Sequence, residues 1–177
     1  GYESFYDSVI PILREYSVPA TLYVICKPLF DDSSTHDGAP KHERNYLTSD
    51  QLREIATDPY VTIGNHSMSH KNLSRSHPRS TLQEEIVESK QVLEAECGVP
   101  IDRYCYPGNN WSPEARELVA AHHEYAVRGI GGRKFVTPSV DRYLIPRIDA
   151  AVPLSTLRFE VSDTAKKLRN FATGVFS

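Results

Sequence analysis

Two histidines four residues apart end the stretch Val61-Thr62-Ile63-Gly64-Asn65-His66-Ser67-Met68-Ser69-His70. A neutral imidazole is the commonest protein ligand for a divalent metal. If the residues after the apolar run Val61–Ile63 turn helically, His66 and His70 fall on one face, where a single ion could take a nitrogen from each. Taken alone, two histidines in a serine-rich turn are ordinary solvated polar residues. The pair therefore needs support from the rest of the chain.

Metal-assisted hydrolysis also needs a base for the water and a donor for the oxyanion that forms. The Pro107-Gly108 turn offers a backbone N–H that a ligand can approach closely, because glycine has no side chain. Around it, Tyr104, Tyr106 and Trp111 supply apolar faces suited to stacking on a sugar ring. Arg147 follows Pro146 in an apolar stretch, where an unpaired charge would be costly, so an acidic partner is expected. Competing chemistries lack their residues. A His-Glu-x-x-His peptidase needs Glu where Ser67 stands. No Gly-x-Ser-x-Gly elbow is present, and Gly129-Ile130-Gly131-Gly132 lacks the Gly-Lys-Ser/Thr of a phosphate loop and reads as a turn. Asp31-Asp32 lies in a polar stretch and reads as solvated.

The elements that must position these residues alternate between strand and helix. Apolar spacing predicts a helix over residues 4–16, with Pro11 disturbing it. Ala20 to Cys26 is a continuous β-prone run, and residues 28–46 have loop composition. Thr48-Ser49-Asp50-Gln51 is a capping box opening a helix through Leu52, Ile55 and Ala56. After Pro78, Ser80 or Thr81 is expected to cap a longer helix with a Leu82, Ile86, Leu93, Cys97 stripe, which Gly98 stops. A short strand Arg103–Tyr106 runs into the Pro107-Gly108-Asn109-Asn110 turn, and Ser112-Pro113 starts a helix to about His123. Strands are expected at Tyr125–Val127 and Leu144–Ile148, with a terminal helical segment from Leu154. This alternation points to an α/β fold with parallel pairing, in which sites form where strands end.

A length of 177 residues suits a single domain spanning the whole chain. The net charge of −3 argues against nucleic acid or an anionic membrane as partner. No apolar run is long enough for a transmembrane segment. No signal-like segment opens the chain, so the compartment is either the cytoplasm or, after removal of a leader, the cell envelope or exterior. Cys26, Cys97 and Cys105 are odd in number and widely spaced, which suggests small core residues rather than disulfides or a thiolate metal site.

In order along the chain, these motifs resemble the polysaccharide deacetylase family, the NodB-homology carbohydrate esterases. Gly1-Tyr2-Glu3-Ser4-Phe5-Tyr6 resembles the segment just after the aspartate pair of that family's Thr-Phe-Asp-Asp-Gly motif. Val9 to Tyr16 and Val18 to Val24 are similar to its first helix and second strand, and His66-Ser67-Met68-Ser69-His70 matches its His-Ser/Thr-x-x-His metal motif. Tyr104-Cys105-Tyr106-Pro107-Gly108 and Leu144-Ile145-Pro146-Arg147-Ile148 resemble segments of the biofilm-polysaccharide branch.

The resemblance implies a deformed (β/α) barrel whose first strand would lie largely ahead of Gly1. It also implies a divalent metal, commonly zinc, held by one Asp and two His, and removal of N-acetyl groups from a polysaccharide or oligosaccharide. His66 and His70 would be metal ligands, Gly108 the oxyanion donor and Arg147 the residue orienting the base. Tyr106, Pro107 and Trp111 would line the sugar groove. Both motif aspartates would precede Gly1, so this segment alone is expected to be inactive. Cys105 stands where many members have Arg, Gly108 where many have an aromatic, and the family's late Leu-x-Ile-x-Leu-His motif has no counterpart after Arg147. A non-catalytic carbohydrate-binding relative is the alternative reading.

Overall fold

The structure, a computed structural model, describes residues 1–30, 45–129 and 139–148, together with Pro153, Ser155 and Arg158. Its centre is a parallel four-stranded sheet in the order β1-β2-β3-β4. The strands are β1 (Ala20–Val24), β2 (Val61–Asn65), β3 (Arg103–Cys105) and β4 (Tyr125–Val127). β1 and β2 are in register from Ala20↔Val61 to Val24↔Asn65. β3 joins β2 at Asn65↔Tyr104, and β4 joins β3 from Arg103↔Tyr125 to Cys105↔Val127. Parallel strands end at one edge of the sheet, so the segments after Asn65, Cys105 and Val127 emerge side by side. Among the described residues the sheet is open rather than closed into the expected barrel.

The helices are α1 (Ile10–Tyr16), α2 (Lys27–Phe30), α3 (Ser49–Ala56), α4 (Arg79–Gln83), α5 (Ser89–Cys97) and α6 (Pro113–His122). One apolar cluster joins Ile10 and Leu13 of α1, Leu52 and Ile55 of α3 and Leu93 of α5 to Leu22, Val24 and Ile63 of the sheet. A second gathers Leu82, Ile86, Ala115, Leu118 and Val119 with Tyr104, Tyr106 and Ala126. Apolar strands fit this cover, because a parallel sheet is packed by its crossover helices.

Several elements differ from expectation for local reasons. The helix over residues 4–16 starts as a π-turn, Phe5–Val9, in which the Ile10 N–H reaches the Phe5 carbonyl. Pro11 has no N–H to continue an α-helical ladder into this turn. The long helix after Pro78 is α4, a π-turn over Glu84–Glu88 and then α5. Its N-cap is Pro78 rather than Ser80 or Thr81. Leu144–Ile148 is not a strand: only Ile145 pairs, as an isolated parallel bridge to Val127. Proline at 146 supplies no N–H for a continuing ladder. Part of the expected loop is helical, as α2.

Thr48 caps α3 through both halves of the capping box with Gln51, and Gly98 ends α5 in the left-handed region, as expected. Ser112 caps α6 by accepting the Ala115 N–H at 3.2 Å. Residues 31–44, which include Asp31-Asp32, lie outside the described residues, as do Gly131, Gly132 and nearly all of the terminal segment.

Candidate metal centre at the sheet edge

β2 delivers the histidines. Its last residue, Asn65, is fully buried, and the His66 N–H donates to the Val24 carbonyl at 2.9 Å, prolonging the β1–β2 pairing by one residue. Beyond that the chain does not turn helically, so the expected helical face is absent. Ser67 and His70 instead adopt left-handed backbone conformations, with φ of 74° and 60°. This folded loop still brings the imidazoles together, edge to face, with ring centroids 4.9 Å apart. Tertiary constraint achieves the approach that a helix would have given.

The His66 tautomer is set by its partner. Its Nδ1 lies 2.7 Å from the Cys105 carbonyl oxygen, which can only accept, so Nδ1 carries the proton and Nε2 keeps its lone pair. Burial lowers the His66 pKa to about 3, against the opposing effect of that hydrogen bond, and the charge of Arg147 works in the same direction as burial. A neutral imidazole with one nitrogen committed to a backbone acceptor is the form that metal-ligating histidines take. Among the described residues no cluster of three His, Cys, Asp or Glu side chains gathers there. The pair could offer a metal two imidazole nitrogens, with the His66 Nε2 held unprotonated. The Gly1 amino group lies close enough to act on His66 electrostatically, so the start of the chain borders the same place.

The turn after β3 forms the next wall. Pro107–Asn109 is a single 3₁₀ turn with Gly108 exposed and left-handed at φ 56°. A Cβ on Gly108 would come within 2.7 Å of the Asn110 side-chain nitrogen. The amides of Asn109 and Asn110 donate to the carbonyls of Tyr106 and Pro107. The Gly108 amide has no such bond among the described residues.

Pro107 is buried and Trp111 partly exposed, packed against the second apolar cluster. Tyr106 is 1% exposed, with its ring edge-to-face on Tyr104 at 5.2 Å, so its faces are occupied by the core and not open to a sugar. Alternation along β3 turns Tyr104 and Tyr106 to one face of the sheet, and that face is the interior.

Arg147 is exposed, and its Nε donates to the Arg128 carbonyl at 3.1 Å. Among the described residues Arg147 has this carbonyl as partner and forms no ion pair with the expected acid. Burial raises the pKa of the Cys105 thiol to about 11, against the opposing effect of the Arg147 guanidinium. His66, the Cys105–Gly108 segment and Arg147 thus converge on one edge.

Sequence reasoning passed over the residues behind this edge. Asn65 accepts the Ser67 N–H at 2.9 Å, and its amide reaches the Ile86 carbonyl, Ser89 and His123. Glu85, with no exposed surface, holds Ser69. Both pack far from their sequence neighbours in an otherwise apolar interior, so periodicity carried no signal for them.

The sequence model of the family described as polysaccharide deacetylase matches residues 1–127. YxkH, a proposed polysaccharide deacetylase of Bacillus subtilis, is 26% identical over 94 residues, 53% of this chain and 29% of YxkH. The chain thus spans under a third of that relative's length. In fold, the chain is similar to a de-N-acetylase of Aggregatibacter actinomycetemcomitans, with a TM-score of 0.74 at 18% identity, covering 91% of this chain and 72% of that one. It is likewise similar to IcaB of Ammonifex degensii, with a TM-score of 0.72 at 16% identity, covering 90% and 68%. At such identities the structural likeness speaks for the fold alone.

Proposed function

Because the chain belongs to the polysaccharide deacetylase family, we propose that it is the metal-binding part of a hydrolase that removes N-acetyl groups from a polysaccharide. The observation that carries this reading is the His66–His70 pair: two imidazoles at a strand end, one held neutral with Nδ1 committed to the Cys105 carbonyl. A divalent ion bound there, zinc being a good match to imidazole nitrogens, would supply Lewis acidity towards water and an amide carbonyl.

The chain's own residues do the remaining work. The Cys105 carbonyl aims the His66 ring and keeps Nε2 unprotonated. The exposed Gly108 amide is proposed to donate to the developing oxyanion, where one such donor is worth roughly 3 kcal/mol. Trp111 and the Pro107–Gly108 turn would form the wall against which a sugar ring packs. Arg147, whose charge already acts on His66, would orient the base. In a longer protein, residues ahead of Gly1 would enter beside the pair, which is where the resemblance puts its two aspartates. We therefore expect the 177-residue chain by itself to bind metal weakly and to release little acetate.

The test is zinc titration together with acetate release from chitin-type and poly-N-acetylglucosamine oligomers, for this chain and for one extended upstream. Zinc binding that falls at least tenfold in His66→Ala and His70→Ala, with zinc-dependent release by the extended protein, is the expected result. Zinc affinity indifferent to both substitutions would overturn the metal reading. Zinc binding and oligomer binding without any acetate release would favour a non-catalytic carbohydrate binder.

A further inference from the structure

His70 stands in a left-handed conformation that a residue with a Cβ rarely adopts, and Ser67, three residues earlier, does the same. Such conformations persist only where surrounding structure over-determines them. The Ser67 side chain supplies one restraint, accepting the His70 N–H at 2.8 Å. The other restraints come from a residue sixteen positions beyond Ser69. Glu85 is wholly buried on the π-turn between α4 and α5. One carboxylate oxygen accepts the Ser69 N–H at 2.9 Å, and the other accepts the Ser69 hydroxyl. That second oxygen also lies 3.6 Å from the Lys71 ammonium. The two residues flanking His70 are therefore both tied to one carboxylate.

The π-turn suits this task. Glu85, Ile86 and Val87 are buried in succession, which one apolar stripe of an α-helix would not give. The apolar pair packs the core, while Glu85 is turned to the loop. A buried carboxylate without partners would be costly, and here the partners of the carboxylate belong to the histidine loop. The Glu85 carbonyl also accepts the Ser89 hydroxyl at 2.8 Å, and Ser89 in turn accepts from the Asn65 amide at 2.9 Å. Helix and loop are thus locked together on both sides of the strand end.

We infer that Glu85 is a positioning residue for the His66–His70 pair: by holding Ser69 and Lys71 it keeps the His70 backbone left-handed and its ring against His66. This rests on the metal reading above only for its consequence, not for its geometry. Glu85→Gln keeps the shape, loses the charge facing Lys71 and replaces one acceptor by a donor.

The test has one metal-free and one metal-bound measurement. In the metal-free chain, NMR should give a His66–His70 ring-to-ring contact in the wild type that Glu85→Gln loses, with faster amide exchange at Ser69. In zinc titration by chelator competition, Glu85→Gln should weaken binding by roughly 10- to 100-fold, the usual cost of losing an outer-shell partner. Leu93→Ala, in the other apolar cluster, serves as the comparison for general destabilisation and should change neither measurement.

If Glu85→Gln does not fold, Ser69→Ala asks the same question by removing only the hydroxyl, with a smaller loss in the same direction. A retained ring contact and unaltered amide exchange in the folded variants would overturn the inference. So would equal losses in Leu93→Ala. A wild-type ring contact without zinc binding would instead refute the metal reading, and the NMR comparison would still decide on Glu85.

Discussion

At the scale of single residues, the sharpest consequences concern histidines that the fold keeps neutral. His123 follows α6, is 5% exposed and stacks on Tyr104 with ring centroids 5.2 Å apart. Burial lowers its pKa to about 3, with the Lys90 charge acting in the same sense. A group whose folded pKa lies below its unfolded value of about 6.5 leaves the unfolded state to bind the proton first. Its contribution to stability is therefore complete above pH ~6.5 and is lost as pH falls towards 3. The slope is about 1.4 kcal/mol per pH unit for one such group. Urea unfolding between pH 7 and pH 4 should show this decline, and His123→Asn should make it shallower, with His66, lowered to about 3 as well, keeping its own share. An unchanged slope in the variant would show that His123 is not one of the titrating groups. Nothing in the sequence marked His123, which sits beside His122 in an apparently polar helix end; the half-turn that buries one and exposes the other depends on where β3 lies.

The scale of elements separates local from distant causes. Thr48 and Gln51 are three residues apart, and their reciprocal bonds of 3.2 Å and 2.9 Å require only the chain between them. The capping box was readable for that reason, as were the Ser112 cap and the Gly98 stop. Thr48→Ala should cost about 1 kcal/mol, seen as a lowered urea midpoint with an unchanged m-value. No loss would mean that tertiary packing alone holds the start of α3. By contrast, the π-turns at Phe5–Val9 and Glu84–Glu88 were not readable. Only packing fixes whether a helix widens by one residue, because the widened turn has poorer hydrogen bonds and persists where side chains repay it. The expected Leu144–Ile148 strand failed in the opposite way. Its apolar composition suggested pairing, but proline at 146 limits what the backbone can donate, and a single bridge remains.

For the whole molecule, the two apolar clusters lie side by side on one face of the sheet, because Leu22, Val24 and Ile63 of the first share that face, through Asn65, with Tyr104 and Ala126 of the second. Ile86 is wholly buried in the cluster holding Tyr104 and Tyr106, and its carbonyl accepts the Asn65 amide at 3.1 Å. Ile86→Ala should cost about 2–5 kcal/mol through the cavity it leaves. Because Asn65 is anchored on that same helix, zinc affinity should fall with it, by several-fold. Leu52→Ala in the other cluster should give a comparable loss of stability without the loss of affinity. Parallel urea and zinc titrations of the two variants check this, and equal affinity in both would show that the Asn65 anchor does not transmit helix position to the site.

The sequence by itself determined the alternation of strand and helix, the caps at Thr48 and Ser112, the Pro107-Gly108 turn and the pair of histidines, since each rests on contacts within a few residues. Tertiary structure decided how the histidines meet. They come together through a strained loop and not a helix, because Glu85 and Asn65 hold its backbone from behind. It also decided the fate of the aromatics: Tyr106 faces inward beyond β3, and the Cys105 carbonyl between Tyr104 and Tyr106, rather than either of those rings, bonds His66. Those bonds span 16 residues from Ser69 to Glu85 and 39 from His66 to Cys105. No local pattern encodes such a pairing, because its energy appears only once the parallel sheet has brought its strand ends to one edge.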